Sequence, residues 1–320
     1  MKTLKDTIAQ ITLPTPFAVG DVHLYVLKGD RLSLVDAGVK TKEAWEALCA
    51  QLKMIGYRPE DIEQVILTHH HPDHMGFLEE FPNVDTIAAH PKLRPWLERE
   101  EDFFVRYEQF YLEMYKQSGV PDRFYKLLKG LRKPLKWTAK GTITHELGEG
   151  SKLPGHEEWW TTETPGHAQS HVSFFREEDG ALIGGDHLLG HISSNPLLEP
   201  PFLEGGERPR PLLQYRDSME KLLKMEIGDV YPGHGKIFDH AHALVHDRLK
   251  KQEQRANKVY GMFSEGTLRA YDVCERLFPK HVETQFGLTM SETIGQLDYL
   301  EHIGKLETFT DQNQTFYKVK

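Results

Sequence analysis

The chain has 320 residues, 39% hydrophobic and 27% charged, a formal net charge of -9 and two cysteines. That length buries a core without covalent staples, and Cys49 and Cys274 are too few and too far apart for a disulfide framework or a thiolate metal site, which fits a reducing compartment. The negative charge argues against a general polyanion binder. No apolar run reaches the about 18 residues of a membrane span, and Met1 to Gln10 carries Lys2, Lys5 and Asp6 where a leader needs an apolar core, so a soluble cytoplasmic protein with no membrane partner is expected.

Taken in order, the first segments read as strands at Ile11 to Leu13, Val22 to Leu27 and Leu32 to Asp36, parted by Gly20-Asp21 and Gly29-Asp30 turns. Thr41 is a suitable N-cap for a helix through about Leu52, with Trp45, Leu48 and Leu52 on one face and Gly56 closing it. A strand from Ile62 to Leu67, a short helix around Met75 to Glu80 and a strand from Val84 to Ala88 continue the alternation, which predicts α/β layering. Residues 92–137 break that rhythm. Trp96, Phe103, Phe104, Tyr107, Phe110, Tyr111, Met114 and Tyr115 recur at helical steps, and Gly119-Val120-Pro121 precedes a second helix from Arg123 to about Lys129. The stripe reads as an inserted helical element packed on its own domain, with a lid or a dimer contact as the other readings.

Strands resume at Gly141 to Glu146, near Trp159 to Thr162, at His171 to Phe175 and at Ala181 to Ile183. A Pro-rich connection over Asn195 to Pro211 leads to a helix at about Tyr215 to Lys224, a strand at Asp229 to Tyr231 and a long helix from near Asp239. The last seventy residues look separate. Two helices parted at Ser264 to Thr267, a third opened by Thr289 or Ser291 and running to about Ile303, and a hairpin turning at Asp311 to Gln314 make a winged-helix-like module.

The densest chemistry lies in Thr68-His-His-His-Pro-Asp-His74, directly after the apolar run Val65-Ile66-Leu67. Imidazole nitrogen and carboxylate oxygen are donors that a borderline divalent ion accepts. His69 and His71, two apart on extended backbone, point the same way, while Asp73 and His74 come round the turn begun by Pro72. The plainer reading is a polar loop that chelates by accident. Three further donors end strands on Gly- or Pro-rich turns, where α/β folds place chemistry: His167 in Thr164-Pro-Gly-His, Asp186 in Gly184-Gly-Asp, and His234 in Tyr231-Pro-Gly-His-Gly. Each alone is an ordinary loop residue.

Together, in this order, they resemble the metallo-β-lactamase fold superfamily over about residues 11–250. Its His-x-His-x-Asp-His signature is matched by His69, His71, Asp73 and His74, and its later histidine, aspartate and final histidine by His167, Asp186 and His234. Leu34-Val-Asp-Ala-Gly38 is similar to the family's strand-end Asp-x-Gly, which supports the fold without supplying a ligand. The resemblance implies a four-layer αββα sandwich spanning residues 1–250, with the 92–137 insertion, followed by the winged-helix-like domain at 251–320. It implies two divalent metal ions, zinc first and iron or manganese also compatible. The first would be held by His69, His71 and His167, the second by Asp73, His74 and His234, with Asp186 bridging. Such a pair, about 3.5–4 Å apart, shares an activated hydroxide that attacks a polarised carbonyl or phosphoryl group, so no protein nucleophile is needed.

Asp73, also placed to orient the hydroxide, and His191 are the catalytic candidates. His191, five residues past Asp186, is offered as a substrate contact; a solvated loop histidine is its plainer reading. Tyr215 and Ser193-Ser194-Asn195 are further candidates for the same mouth. The expected reaction is hydrolysis of an ester, thioester or lactone in a small acyl substrate. The C-terminal module also resembles the extension on a branch that includes glyoxalase II-like proteins and an endoribonuclease, so a ribonuclease or phosphodiesterase acting on RNA stays open. An iron redox enzyme and a non-enzymatic winged-helix regulator stay open too. Residues 252–320 hold eight Lys and Arg against ten Asp and Glu. A module of about -2, with Glu292, Asp298 and Glu301 on its third helix, reads as a packing or homodimer element rather than a nucleic-acid reader.

Overall fold

The strand pair β1 (Ile8–Leu13) and β2 (Val22–Lys28) begins the fold, and six of the seven residues of β2 are buried, so both of its faces have to be covered. The computed structural model, which describes residues 7–320 apart from the side chain of Glu265, shows how. (The expectation placed on Met1 to Asp6 falls outside the described residues.) Val22, Leu24 and Val26 enter a core closed by helix α1 (Lys42–Met54), whereas Tyr25 and Leu27, on the opposite side of the pleat, enter a core shared with a second sheet. Thr41 caps α1 by accepting from the Ala44 amide at 3.3 Å.

The first sheet runs β1-β2-β3-β4-β5-β6, with β3 at Leu32–Val35, β4 at Gln64–Ile66, β5 at Thr86–Ala89 and β6 at His145–Glu146. Its first two pairings are antiparallel and the remaining three parallel. The second sheet contains β7 (Lys152–Leu153), β8 (His156–Glu163), β9 (Val172–Arg176), β10 (Ala181–Gly185) and β11 (Val230–Pro232), in the order β11-β10-β9-β8-β7. Val35, Ile66 and Ala88 of the first sheet meet Trp159, Phe174 and Ile183 of the second in one apolar layer. Because β8 and β10 are both antiparallel to β9, and β11 is parallel to β10, the C-terminal ends of β8, β10 and β11 emerge at the same edge.

Two compact units make up the chain. The first comprises Met1–Glu100, Lys133–Ser194 and Lys221–His242, and holds both sheets and the short helix α2 (Arg94–Glu98). The second comprises Glu101–Arg132, Asn195–Glu220 and Ala243–Lys320. It contains α3 (Glu101–Gln117), most of α4 (Pro211–Leu222) and α5 (Ala241–Gly261), then strand β12 (Leu268–Arg269), α6 (Ala270–Leu277), α7 (Phe286–His302) and the hairpin β13 (Leu306–Asp311) and β14 (Gln314–Val319). The three strands form an antiparallel sheet in the order β12-β14-β13. Within this unit Met114 and Tyr115 of α3 join Phe124 and Phe286 in the core, with Phe124 stacked on Phe286 at 4.1 Å. Helix α7 is buried on almost every side: Ser291 Oγ accepts from the Leu198 amide, Arg208 forks onto Asp298, and Gly295 lies against Leu212.

Three local expectations change. The helix around Met75 to Glu80 is reduced to a 3-10 turn at Leu78–Glu80, while the amides of Gly76 and Phe77 bond to the carbonyls of Gly38 and Ala37. The segment Asp122–Gly130 winds as 3-10 rather than α-helix. Phe124 N bonds back only three residues, to Pro121 O, as 3-10 geometry requires. Of Gly141 to Glu146, only His145–Glu146 pairs with β5.

Candidate metal centre

The parallel pair β3 and β4 delivers Asp36 and Thr68 side by side, and a chain of hydrogen bonds starts there. Asp36, with φ of 63° at the strand end, accepts from Thr68 N at 2.8 Å, from Thr68 Oγ1 at 2.9 Å and from His74 Nδ1 at 2.7 Å. The hydroxyl of Thr68 has one proton and gives it to the carboxylate. Its oxygen must therefore accept from His69 Nδ1, which lies 2.9 Å away, and this leaves the lone pair of a neutral His69 on Nε2. His74 donates Nδ1 to Asp36, and His234 donates Nδ1 to the carbonyl of Asp21 at 2.7 Å, so both likewise turn Nε2 inward when neutral. His167 is held through Nδ1 by Ser194 Oγ at 2.8 Å.

The inward atoms converge. His69 Nε2 and His71 Nδ1 lie 3.0 Å apart, and His69, His71 and His167 offer donor atoms all within 4.8 Å of one another. Asp73, His74 and His234 form a second such group, with His234 Nε2 3.3 Å from Asp73 Oδ2. Asp186 stands between the two groups: one of its oxygens is 3.5 Å from His74 Nε2, the other 3.6 Å from His167 Nε2 and 3.4 Å from His234 Nε2. Gly233 makes room for this, since a Cβ there would collide with Asp186 Oδ1 and sit 3.0 Å from His74 Cε1.

The electrostatics call for positive charge. Burial alone would lower His74, but Asp186, Asp36 and Asp73 outweigh it and raise His74 well above its ordinary value. His234, opposed by burial in the same way, is pushed up to about 10, chiefly by Asp186. Asp186 is held well below the usual carboxylate range by His234 and His74 despite its burial. Burial pushes His69 and His71 well down, so they remain neutral donors. His74 Nε2, His234 Nε2 and Asp186 Oδ1 are buried and make no well-formed hydrogen bond among the described residues, which leaves their lone pairs for a cation. The donor set is nitrogen and oxygen only, as divalent ions of the zinc, iron and manganese type accept. The residues present therefore fit a pair of such ions.

His70, inside the cluster, turns away: its Nδ1 is 2.9 Å from Ser170 Oγ and its ring stacks on Trp96 at 4.2 Å. His191 is exposed, with its ring over Gly235, the residue after His234. Ser194 belongs to the site through His167, whereas Tyr215 is buried in the second unit. Ser194, a candidate for the mouth of the site, instead holds His167, while the roles of Thr68 and the Asp21 carbonyl go beyond the sequence reading: Thr68 is signalled only by its adjacency to His69, and Asp21 is brought in by folding.

Comparison with known proteins agrees with this geometry. A sequence model described as the metallo-beta-lactamase superfamily matches residues 17–234, a span that includes all seven donors. The chain is 40% identical over 316 residues to the probable metallo-hydrolase YqjP of Bacillus subtilis (strain 168), covering 99% of this chain and 98% of that one. It is 24% identical to a beta-lactamase-like protein 2 homolog of Caenorhabditis elegans, over 83% of this chain and 74% of the other. Among solved structures, a metallo-beta-lactamase family protein from Thermus thermophilus superposes with a TM-score of 0.82 at 24% identity, over 99% of this chain and 100% of its own. A beta-lactamase domain protein from Burkholderia ambifaria gives 0.79 at 20% identity, over 98% and 92%.

Proposed function

Because the chain belongs to the metallo-β-lactamase superfamily and is one of its hydrolases, we propose that it is a dinuclear metallohydrolase acting on an ester, thioester or lactone of a small acyl substrate. In this reading His69, His71 and His167 would hold one cation and Asp73, His74 and His234 the other, with Asp186 available to either. Zinc is the first choice of metal. When bound, such a pair lowers the pKa of a shared water and polarises the oxygen of the group attacked. The residues supply the rest. Asp36, Thr68 and the Asp21 carbonyl keep the ring protons of His74, His69 and His234 on Nδ1, so the donor atoms need no rearrangement when the cations enter. Asp73 orients the attacking water through its carboxylate, and His191, exposed with its ring beside Gly235, is the residue offered as a substrate contact.

The observation that carries this reading is the convergence of seven donors from four strand ends, three of them with proton positions set by their partners. The acyl class is preferred over RNA for a reason internal to the second unit. From α5 onward its order of helix, strand, two helices and two strands supports the winged-helix-like description, yet α7, the helix that would enter a groove, is buried and carries Glu292, Asp298 and Glu301. Protein loaded with zinc, or with manganese, is assayed against a panel of thioesters, lactones and aryl esters and against single-stranded RNA. Hydrolysis of an acyl substrate that disappears in Asp73→Ala supports the proposal; turnover of RNA alone replaces it with the phosphodiesterase reading.

A further inference from the structure

His171 is a fully buried imidazole in the first unit that the proposed mechanism does not use, and it touches three of the donor-bearing segments at once. The amide of Asp186 donates to His171 Nε2 at 3.1 Å. That bond occupies the Nε2 lone pair, so a neutral ring carries its proton on Nδ1 and donates it to Thr164 Oγ1 at 2.8 Å. Thr164 in turn lies 2.9 Å from Ser173 Oγ, and its amide donates to the carbonyl of His171. The ring also packs on His69 with centroids 4.9 Å apart. Space around Nε2 is tight: at Gly185, where φ is 47°, an added Cβ would stand 2.7 Å from it. The spacing His167-x-x-x-His171 looks like a ligand pair, but the Nε2 lone pair is already committed to a backbone amide.

We propose that His171 is a positioning residue which, through its Nε2 acceptor, holds the Asp186 turn so that the carboxylate faces both donor groups. This rests on the two-cation reading above and deepens it. The alternative, a histidine that only fills the core, makes a different prediction about metal binding. Leucine at this position fills much of the volume and offers no acceptor. Glutamine offers Oε1 near the place of Nε2. Loss of an outer partner of this kind costs about 10–100-fold in metal affinity.

The experiment measures zinc stoichiometry and affinity by competition with a chromophoric chelator, together with thermal unfolding of the chelated proteins, for wild type, His171→Leu, His171→Gln and Thr164→Val. The expected result is two ions for wild type, at least tenfold weaker uptake of one ion in His171→Leu at temperatures where it is folded, and recovery to within about fivefold in His171→Gln. Thr164→Val, which frees the ring to adopt the other tautomer, is expected to weaken uptake severalfold and keeps the test decisive should His171→Leu fail to fold. Wild-type uptake of two ions with unchanged affinity in folded His171→Leu, or in Thr164→Val where His171→Leu does not fold, overturns the positioning role and leaves the two-cation reading standing. Uptake of fewer than two ions by wild type overturns both.

Discussion

Replacing Asp36 by asparagine changes one oxygen to an NH2 group, and the hydrogen-bond pattern decides which one. Oδ1 accepts from the Thr68 amide, which can only donate, so in Asp36→Asn the remaining oxygen must stay there and the new Nδ2 must face His74. A donor against the Nδ1 proton of His74 is repulsive, and the ring escapes by moving its proton to Nε2, the atom aimed at Asp186. The variant should therefore fold. Asparagine tolerates the left-handed backbone at φ 63°, and exchanging a charge-assisted bond for a neutral one costs about 1–2 kcal/mol. Metal binding suffers more, because the cation that His74 would hold needs the neutral ring with its proton on Nδ1, the tautomer that Asp36→Asn disfavours. A drop of about 10–100-fold, or about 1.4–2.7 kcal/mol, is expected for one of the two ions. Competition titration with a chelator reads the affinity, and urea unfolding of the chelated protein reads the stability separately. Two ions bound within threefold of wild-type affinity would refute the tautomer argument.

Gly233→Ala puts a methyl group where Asp186 Oδ1 lies and should weaken metal uptake at least about tenfold while leaving the circular dichroism spectrum intact; unchanged uptake would mean that the carboxylate is not held there. Acid should destabilise the chelated protein through His70 and His187, both pushed by burial to about 3. Each is neutral when folded but takes a proton when unfolded at about 6.5, so its contribution is present above pH 6.5 and is lost as pH falls towards 3, at up to about 1.4 kcal/mol per unit. His70→Phe, which keeps the stack on Trp96, should remove one such share between about pH 6.5 and 5 in urea titrations, and an unaltered slope would count against it. Asp298→Ala strands the Arg208 guanidinium in the second unit. With Arg208 about one-third exposed the loss should be about 2 kcal/mol, seen as a lower unfolding midpoint with metal stoichiometry unaffected.

Much of the layered architecture is legible in local pattern. The alternation around Val22 to Leu27 and the capped helix after Thr41 follow from periodicity and turn chemistry, which depend on neighbours a few residues away. Contacts made from a distance leave no such trace. The Gly76 and Phe77 amides bond to carbonyls 38 and 40 residues earlier, and no local propensity reports that. In the sequence, Glu292 and Asp298 of α7 speak only against a nucleic-acid reader; that both are buried against Arg255 and Arg208 is a pairing made only by folding.

The same division runs through the metal centre. The donor inventory is a matter of sequence alone: His69, His71, Asp73, His74, His167, Asp186 and His234 lie on turns that follow strands, and their kinds and order define the chemistry available. What those donors can do is decided by protons, and three of these protons are placed by partners that are not themselves donors: Thr68 for His69, Asp36 for His74 and the Asp21 carbonyl for His234. The last two partners lie 38 and 213 residues from the rings they fix. An imidazole has two nitrogens and, when neutral, one proton, so its identity leaves open which nitrogen is the ligand. Only the three-dimensional fold brings up the acceptor or donor that settles it.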